Sequence, residues 1–355
     1  MRSAANSRSR GSTSKRTHDL EEQEVTIELK TVDIKPLRHT FAHVAQNIGG
    51  DKTATRYQEG MMGAQPQENF HYRPTWDPDY EIFDPSRSAI RMANWYALKD
   101  PRQFYYASWA TTRARQQDAM ESNFEFVESR RMIGLMRDDV AARALDVLVP
   151  LRHAAWGANM NNAQICALGY GTVFTAPAMF HAMDNLGVAQ YLTRLALAMA
   201  EPDVLEAAKA TWTRDAAWQP LRRYVEDTLV VADPVELFIA QNLALDGLLY
   251  PLVYDRFVDE RIALEGGSAV AMLTAFMPEW HTESNRWIDA VVKTMAAESD
   301  DNRALLARWT RDWSARAEAA LAPVAARALQ DAGRAALDEV REQFHARAAR
   351  LGIAL

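Results

Sequence analysis

Residues 233–265 read DPVELFIAQNLALDGLLYPLVYDRFVDERIALE, and their reading decides the fold. Asp233-Pro234 is a helix start, with Asp as N-cap and Pro at the first helical position, and Gly266-Gly267 closes the run. Within it, LALDGLLYPLVY has almost no solvent face, so this helix must sit inside a bundle or against a partner. Working outward, Asp100-Pro101 repeats the device, and thirty residues follow without Gly or a second Pro. Ser268 is expected to cap AVAMLTAFMPEWHTESNRWIDAVVKTMAAES. Upstream lie VLVPLRHAAWGANMNNAQ, a buried helix kinked at Pro150, and TVFTAPAMFHAMDNLGVAQYLTRLALAM. Shorter helices are expected around 203–213 and 216–231. The C-terminal segment is amphipathic, with Leu337, Val340, Phe344 and Leu351 on one stripe. The body therefore has four or five helices of about 25–35 residues, well above the usual mean. No repeat at a fixed period is present, which disfavours a solenoid.

Residues 25–99 are different. VTIELKTVDIKPL opens with alternating Val25, Ile27 and Leu29, a short strand or extended segment. NFHYRPTWDPDYEIFDP cannot be a helix, because Pro74, Pro78 and Pro85 each remove a donor. Its aromatic residues Tyr72, Trp76, Tyr80 and Phe83 need a surface to lie on, so 25–99 reads as an extended arm that wraps its own body or another subunit. Residues 1–24 are Arg/Ser-rich, lack an apolar signal core, and read as a disordered basic tail.

Composition excludes several classes. The 355 residues carry a net charge of −7 with a pI near 5.7, which argues against nucleic acid as the main partner. With Cys166 the single cysteine, no internal disulfide, thiolate zinc site or iron–sulfur cluster can form, and a reducing, cytoplasmic setting is expected. The plain reading of Cys166 is a buried thiol. No stretch of about 18 uncharged apolar residues suggests a membrane span. There is no Gly-rich phosphate loop, no Gly-x-Ser-x-Gly elbow and no complete Asp-rich magnesium motif.

A bundle of long helices can hold two irons with one Glu from each of two helices and a Glu-x-x-His from each of two others. Glu68-x-x-His71 falls in the arm, where no helical turn sets the spacing. Glu342-x-x-His345 falls on the C-terminal helix among Arg341, Arg347 and Arg350, and reads as surface charge. The long helices hold near-misses instead: Pro150-x-x-His153 lacks the carboxylate, and Glu279-x-x-Thr282 lacks the imidazole. Asp246 and Glu121 are acids within apolar helices, for which a hydrogen bond to Arg, Asn or Trp is the simple account. His153 reads as a satisfied core histidine.

Several stretches together carry a resemblance. KTVDIKPLRHTFAHVA, DKTATRYQEG, NFHYRPTWDP, NWYALKDPRQFYY, LVPLRHAAWGANMNNAQ, RYVEDTLVVADPVELFIAQNLALDGLLYPLVY and AMLTAFMPEW resemble, in order over roughly residues 25–320, the β subunit of bacterial multicomponent monooxygenases, on the phenol hydroxylase and toluene monooxygenase branch. The resemblance implies an all-α, ferritin-like long-helix bundle with an extended N-terminal arm, the metal-free helical domain covering 100–355. It implies a non-catalytic structural subunit of an aromatic-ring hydroxylase, phenol 2-monooxygenase-like, in an (αβγ)₂ heterohexamer for aromatic hydrocarbon breakdown. The di-iron centre would be in the α subunit, beside a small γ subunit. A reductase with FAD and a 2Fe-2S cluster would deliver NAD(P)H electrons, and an effector protein would couple them to O₂. By rough alignment, Pro150/His153 and Glu279/Thr282 fall at the two Glu-x-x-His frames, Asp246 at a glutamate, and Glu121 near the remaining one. Pro for Glu, Thr for His and Asp for Glu imply no catalytic, cofactor or metal residues in this chain. An obligate apolar interface of roughly 2,000–5,000 Å² is expected. Two other readings stay open: a self-sufficient di-iron oxygenase using Glu121, His153, Asp246 and Glu279, and a helical binding protein without an oxygenase partner.

Overall fold

The computed structural model describes residues 40–50, 52–64, 73–353 and 355. The basic tail, the Val25–Leu29 strand, Tyr72 and the Glu68/His71 pair lie outside them. Among the described residues every regular element is helical. Two short helices come first, α1 (Ala42–Ile48) and α2 (Arg56–Met61). The segment read as irregular thus contains helix, and Thr55 with Gln58 forms a full capping box on α2.

The body follows. Helix α3 spans Tyr106–Ser129, α4 Asp138–Leu148, α5 Leu151–Leu168, α6 Thr172–Met199, α7 Asp203–Arg214 and α8 Gln219–Thr228. A long rod then runs through α9 (Pro234–Phe238), a π-type stretch Ile239–Leu245, α10 (Asp246–Tyr250) and a second wide stretch Pro251–Gly267. Helices α11 (Ser268–Thr274), α12 (Phe276–Glu298), α13 (Asp300–Leu329) and α14 (Gly333–Arg350) complete it.

Local chemistry explains the boundaries. Asp233 accepts from the amides of Val235 and Glu236, so the rod starts where expected. Pro251 has no N–H to return to the carbonyl four residues back, and the turn widens there. Gly266, at φ 103°, adopts a left-handed conformation and ends the rod. Ser268 does not cap α11; Gly267 is the N-cap and no side chain bonds there. Pro150 does more than kink one helix: α4 stops at Leu148 and α5 starts at Leu151. Asp100 does not start α3 either. Its carboxylate accepts from the Arg102 backbone and guanidinium at 2.9 Å, and Gln103 at φ 54° interrupts any helix, so α3 begins at Tyr106.

The core is continuous across these helices, with Trp218, Trp287, Phe124, Phe174, Phe238 and Phe257 wholly buried. The rod is at its centre. By length and composition Pro234–Thr274 could cross a membrane, yet 94% of its apolar window is buried inside the protein. Residues 88–94, between 3-10 turns at Pro85–Arg87 and Trp95–Ala97, are pinned to the body through their backbone: Ala89 N donates to Asp233 at 2.6 Å, Ala93 N to Glu298 at 2.8 Å, and Arg91 exchanges two bonds with Asn302. Ile90 and Leu98 are buried beneath it, whereas Trp76 is 79% exposed.

Candidate functional site

The centre of the bundle is polar. Asn161 of α5 donates to Thr228 of α8 and to Gln241 of the rod, both at 2.8 Å. Gln241 Nε2 donates to Asp246 Oδ1 at 2.9 Å. The other carboxylate oxygen, Oδ2, faces His181 Nε2 of α6 at 3.7 Å, and His181 Nδ1 lies 3.3 Å from Ser284 Oγ of α12. One ladder of polar groups thus joins α8, α5, the rod, α6 and α12. Beside it, Asn162 and Asn242 exchange amide bonds at 2.8 and 2.9 Å. A buried polar group costs stability unless it is paired, and nearly every rung is paired. Asn161 Oδ1, Asp246 Oδ2 and His181 Nε2 are the three exceptions on the ladder.

At Asp246 the helices leave an enclosed cavity of about 10 Å³, room for one water molecule. Leu151, Ala154 and Ala158 line one side, Asn185 and Val188 another, and Gln241, Tyr250 and Tyr254 the third. Burial raises both tyrosine pKa values, so the phenols stay neutral. His281 stacks on Tyr250 at 4.6 Å, nearly parallel. Burial, with Arg347 and His181 nearby, pushes the His281 pKa down to about 3.

A second buried polar group lies between α3, α6 and α12. Arg113 grips Asp184 with two bonds of 2.7 Å and reaches Glu283 at 2.6 Å, while Trp109 Nε1 donates to Asp184 at 3.0 Å. Burial alone would lower the Arg113 pKa, but the two carboxylates hold it well above its ordinary value.

The residues singled out in the sequence are not brought together. Glu121 is exposed on α3 and binds Arg194 at 2.5 Å, which holds its carboxyl below the usual carboxylate range. His153 stacks on Trp212 at 5.6 Å, and burial, with Arg152 and Lys209 nearby, pushes its pKa down to about 4. Its Nε2 has no partner, so it is not a fully satisfied core histidine. Glu279, Thr282, Glu342 and His345 are exposed. Asp246 alone reaches the interior. The rough alignment placed Glu121 and Glu279 at inward positions; the rotation of α3 and α12 turns both outward. Sequence reasoning missed His181 and Asp184, a His-x-x-Asp pair in an otherwise apolar helix. The order is the reverse of Glu-x-x-His, so that pattern does not reveal it.

Two irons in a bundle of this kind take four carboxylates and two imidazoles. Asp246 is the one carboxylate lining the cavity, its neighbours are amides, phenols and alanines, and the residues present do not fit such a pair. Among the described residues no three His, Cys, Asp or Glu side chains converge as metal ligands would.

Comparisons with known proteins agree with this architecture. The family model for methane/phenol/alkene hydroxylases matches residues 76–299. The oxygenase component DmpL of phenol 2-monooxygenase from Pseudomonas sp. (strain CF600) is 46% identical, covering 93% of this chain and 98% of its own length. The hydroxylase β subunit of the toluene-4-monooxygenase system of Ectopseudomonas mendocina is 22% identical over 64% of this chain and 70% of its own. A chain from the crystal structure of xenon-pressurized phenol hydroxylase from Pseudomonas sp. OX1 superposes with a TM-score of 0.86 at 42% identity, covering 92% of this chain and 99% of that one. The all-helical, ferritin-like hydroxylase fold expected from the sequence is therefore the fold observed.

Proposed function

Because this chain belongs to the methane/phenol/alkene hydroxylase family, we propose that it is the structural β subunit of an aromatic-ring monooxygenase of the phenol 2-monooxygenase type. In this reading a separate α subunit carries the di-iron centre, a small γ subunit completes an (αβγ)₂ hydroxylase, and the assembly is cytoplasmic. A reductase with FAD and a 2Fe-2S cluster passes electrons from NAD(P)H, and an effector protein couples them to O₂. The irons supply oxygen activation in the α subunit. This chain contributes rigidity, with helix faces against the α subunit and its N-terminal arm as a clamp on that subunit.

One observation carries the reading. Where a catalytic bundle would converge its ligands, this chain has closed its centre with an amide ladder from Thr228 to Gln241, alanines at 154 and 158, and one carboxylate. Such a centre stabilises packing, which supports a chain that holds no irons of its own.

The test is to purify the hydroxylase from its source cells, separate the subunits and assign iron to each. The expected result is about two irons per α chain and background iron in this 40.0 kDa chain. Tightly held iron in this chain, with unaided ring oxidation by it, would instead support the self-sufficient oxygenase. Recovery of the chain with no oxygenase subunit would support an independent binding protein.

A further inference from the structure

The apolar centre of the rod, LALDGLLYPLVY, holds one acid, and two phenols follow it at intervals of four residues: Asp246, Tyr250 and Tyr254. That spacing sets the three on one side of a helix. All three line the enclosed cavity of about 10 Å³, and the α5 wall of that cavity carries the small side chains Ala154, Ala155 and Ala158. The carboxylate there is under-supplied with donors. Asp246 is 3% exposed, so bulk water does not solvate it. Gln241 gives Oδ1 one bond, and His181 Nε2 faces Oδ2 at 3.7 Å, too far to make another. A carboxylate has room for about four donors, and burying it with one costs stability.

The rest of the lining supplies complementary groups. Burial keeps both phenols neutral, so each brings an O–H donor, and among the described residues none accepts from either. Asn185 of α6 gives its amide N–H to the His181 carbonyl at 2.9 Å, which leaves its own carbonyl oxygen for the cavity it lines. Two acceptors, the Asp246 carboxylate and the Asn185 amide oxygen, and two donors, the tyrosine hydroxyls, therefore surround a space of about one water sphere. Water itself has two hydrogens to give and two lone pairs to receive with.

We propose that this cavity is a binding site for a single water molecule, which donates to Asp246 and Asn185 and accepts from Tyr250 and Tyr254. The volume excludes any organic substrate. A metal ion is the wrong occupant, because among the described residues no three His, Cys, Asp or Glu side chains converge on it. The bound water extends the amide ladder by one rung. It carries the run from Thr228 through Asn161, Gln241 and Asp246 on to the phenols, and it ties the rod to α6 at the turn where Pro251 widens it. The site belongs to the core of this chain and does not depend on the subunit role.

The experiment uses the full chain, in the assembly that holds it when purified from its source cells. A crystal structure should show one ordered peak in the cavity, about 2.5–3.0 Å from an Asp246 carboxylate oxygen and from a tyrosine hydroxyl. An empty cavity overturns the proposal. So does a peak whose contacts all fall near 2.3–2.6 Å, which marks a cation. Hydrogen exchange of the Asp246–Tyr254 amides tests the same water in solution. Tyr254→Phe removes one donor and should lower protection about 3- to 10-fold, the loss of one hydrogen bond. In an Asp246→Leu background the water has lost its charged acceptor, and Tyr254→Phe should change protection less than twofold. An equal loss in both backgrounds overturns the proposal, because the hydroxyl then acts without a shared water. Far-UV circular dichroism matching the wild type shows that Asp246→Leu folds; if it does not, the crystal structure of the native chain decides alone. Either overturning result leaves the subunit role standing.

Discussion

Replacing Arg113 with Met should release α3 from the body. The Arg113 and Asp184 side chains are 9% and 5% exposed, and their paired bonds of 2.7 Å satisfy both carboxylate oxygens. Arg113 also lies 4.6 Å over the Trp280 ring. Methionine keeps the volume but leaves Asp184 charged, buried, and held by Trp109 alone. Breaking a buried pair from one side costs about 3–5 kcal/mol. The double replacement Arg113→Met with Asp184→Leu removes the orphaned charge and should cost far less. Glu283, at 21% exposure, can then reach water. The remaining grip of α3 is apolar: Trp109 stacks on Phe180 at 5.4 Å, and Met120, Phe124 and Val127 are buried. The cost should therefore appear as local opening of Tyr106–Ser129. Hydrogen exchange on the purified assembly reads it directly. Protection of α3 amides should fall about 10²- to 10³-fold in Arg113→Met and recover most of that in the double variant. A fall of less than about tenfold, or a double variant as exposed as the single, would refute the argument that the uncompensated carboxylate dominates.

Three further outcomes follow from the same kind of reasoning. Asp233→Ala removes the rod's cap and the anchor of Ala89 together, so it should cost about 1–2 kcal/mol and speed proteolysis within residues 85–99, read by limited digestion and mass spectrometry. His281, with a folded pKa of about 3, refuses a proton that the unfolded chain accepts near 6.5. Its contribution to stability is complete above about pH 6.5 and is lost as pH falls from there toward 3. His281→Phe should then flatten the acid limb of a stability–pH curve by up to about 1.4 kcal/mol per pH unit, and an unchanged slope would show that other groups control it. Trp287→Ala empties a wholly buried site beside Phe238 and His181 and should cost about 3–5 kcal/mol in urea unfolding; a cost under 1 kcal/mol would mean the core collapses around it.

Helix α6 was readable almost to the residue, because TVFTAPAM…LALAM is bounded by Gly171 and an extended Ala200. The C-terminal stripe was readable too, and Leu337, Val340, Phe344 and Leu351 are all buried. The start of α3 was not, since Asp100 had a competing partner two residues on that no capping rule weighs. Helix α2 left a signal, the Thr55-x-x-Gln58 box, inside a segment judged by its prolines. Among the candidate ligands only Asp246 was placed correctly in the interior. A helix that is apolar nearly all round does not announce which side faces in, so the azimuths of Glu121 and Glu279 could not be read from their spacing.

The wide turns of the rod have a consequence for how this protein can change over time. Every residue added to or removed from a regular helix swings all that follows by about 100°. The first half of the rod, largely buried from Leu237 to Tyr254, cannot absorb such a swing, because Asp246, Tyr250 and Tyr254 each fit one place. A stretch such as Ile239–Leu245 accommodates an extra residue without turning the remainder out of phase. Length variation among descendants of this gene should accordingly collect in the short joints, such as 129–138, and in the π-type turns themselves. The α-helical sections Pro234–Phe238 and Asp246–Tyr250 should keep their length unchanged.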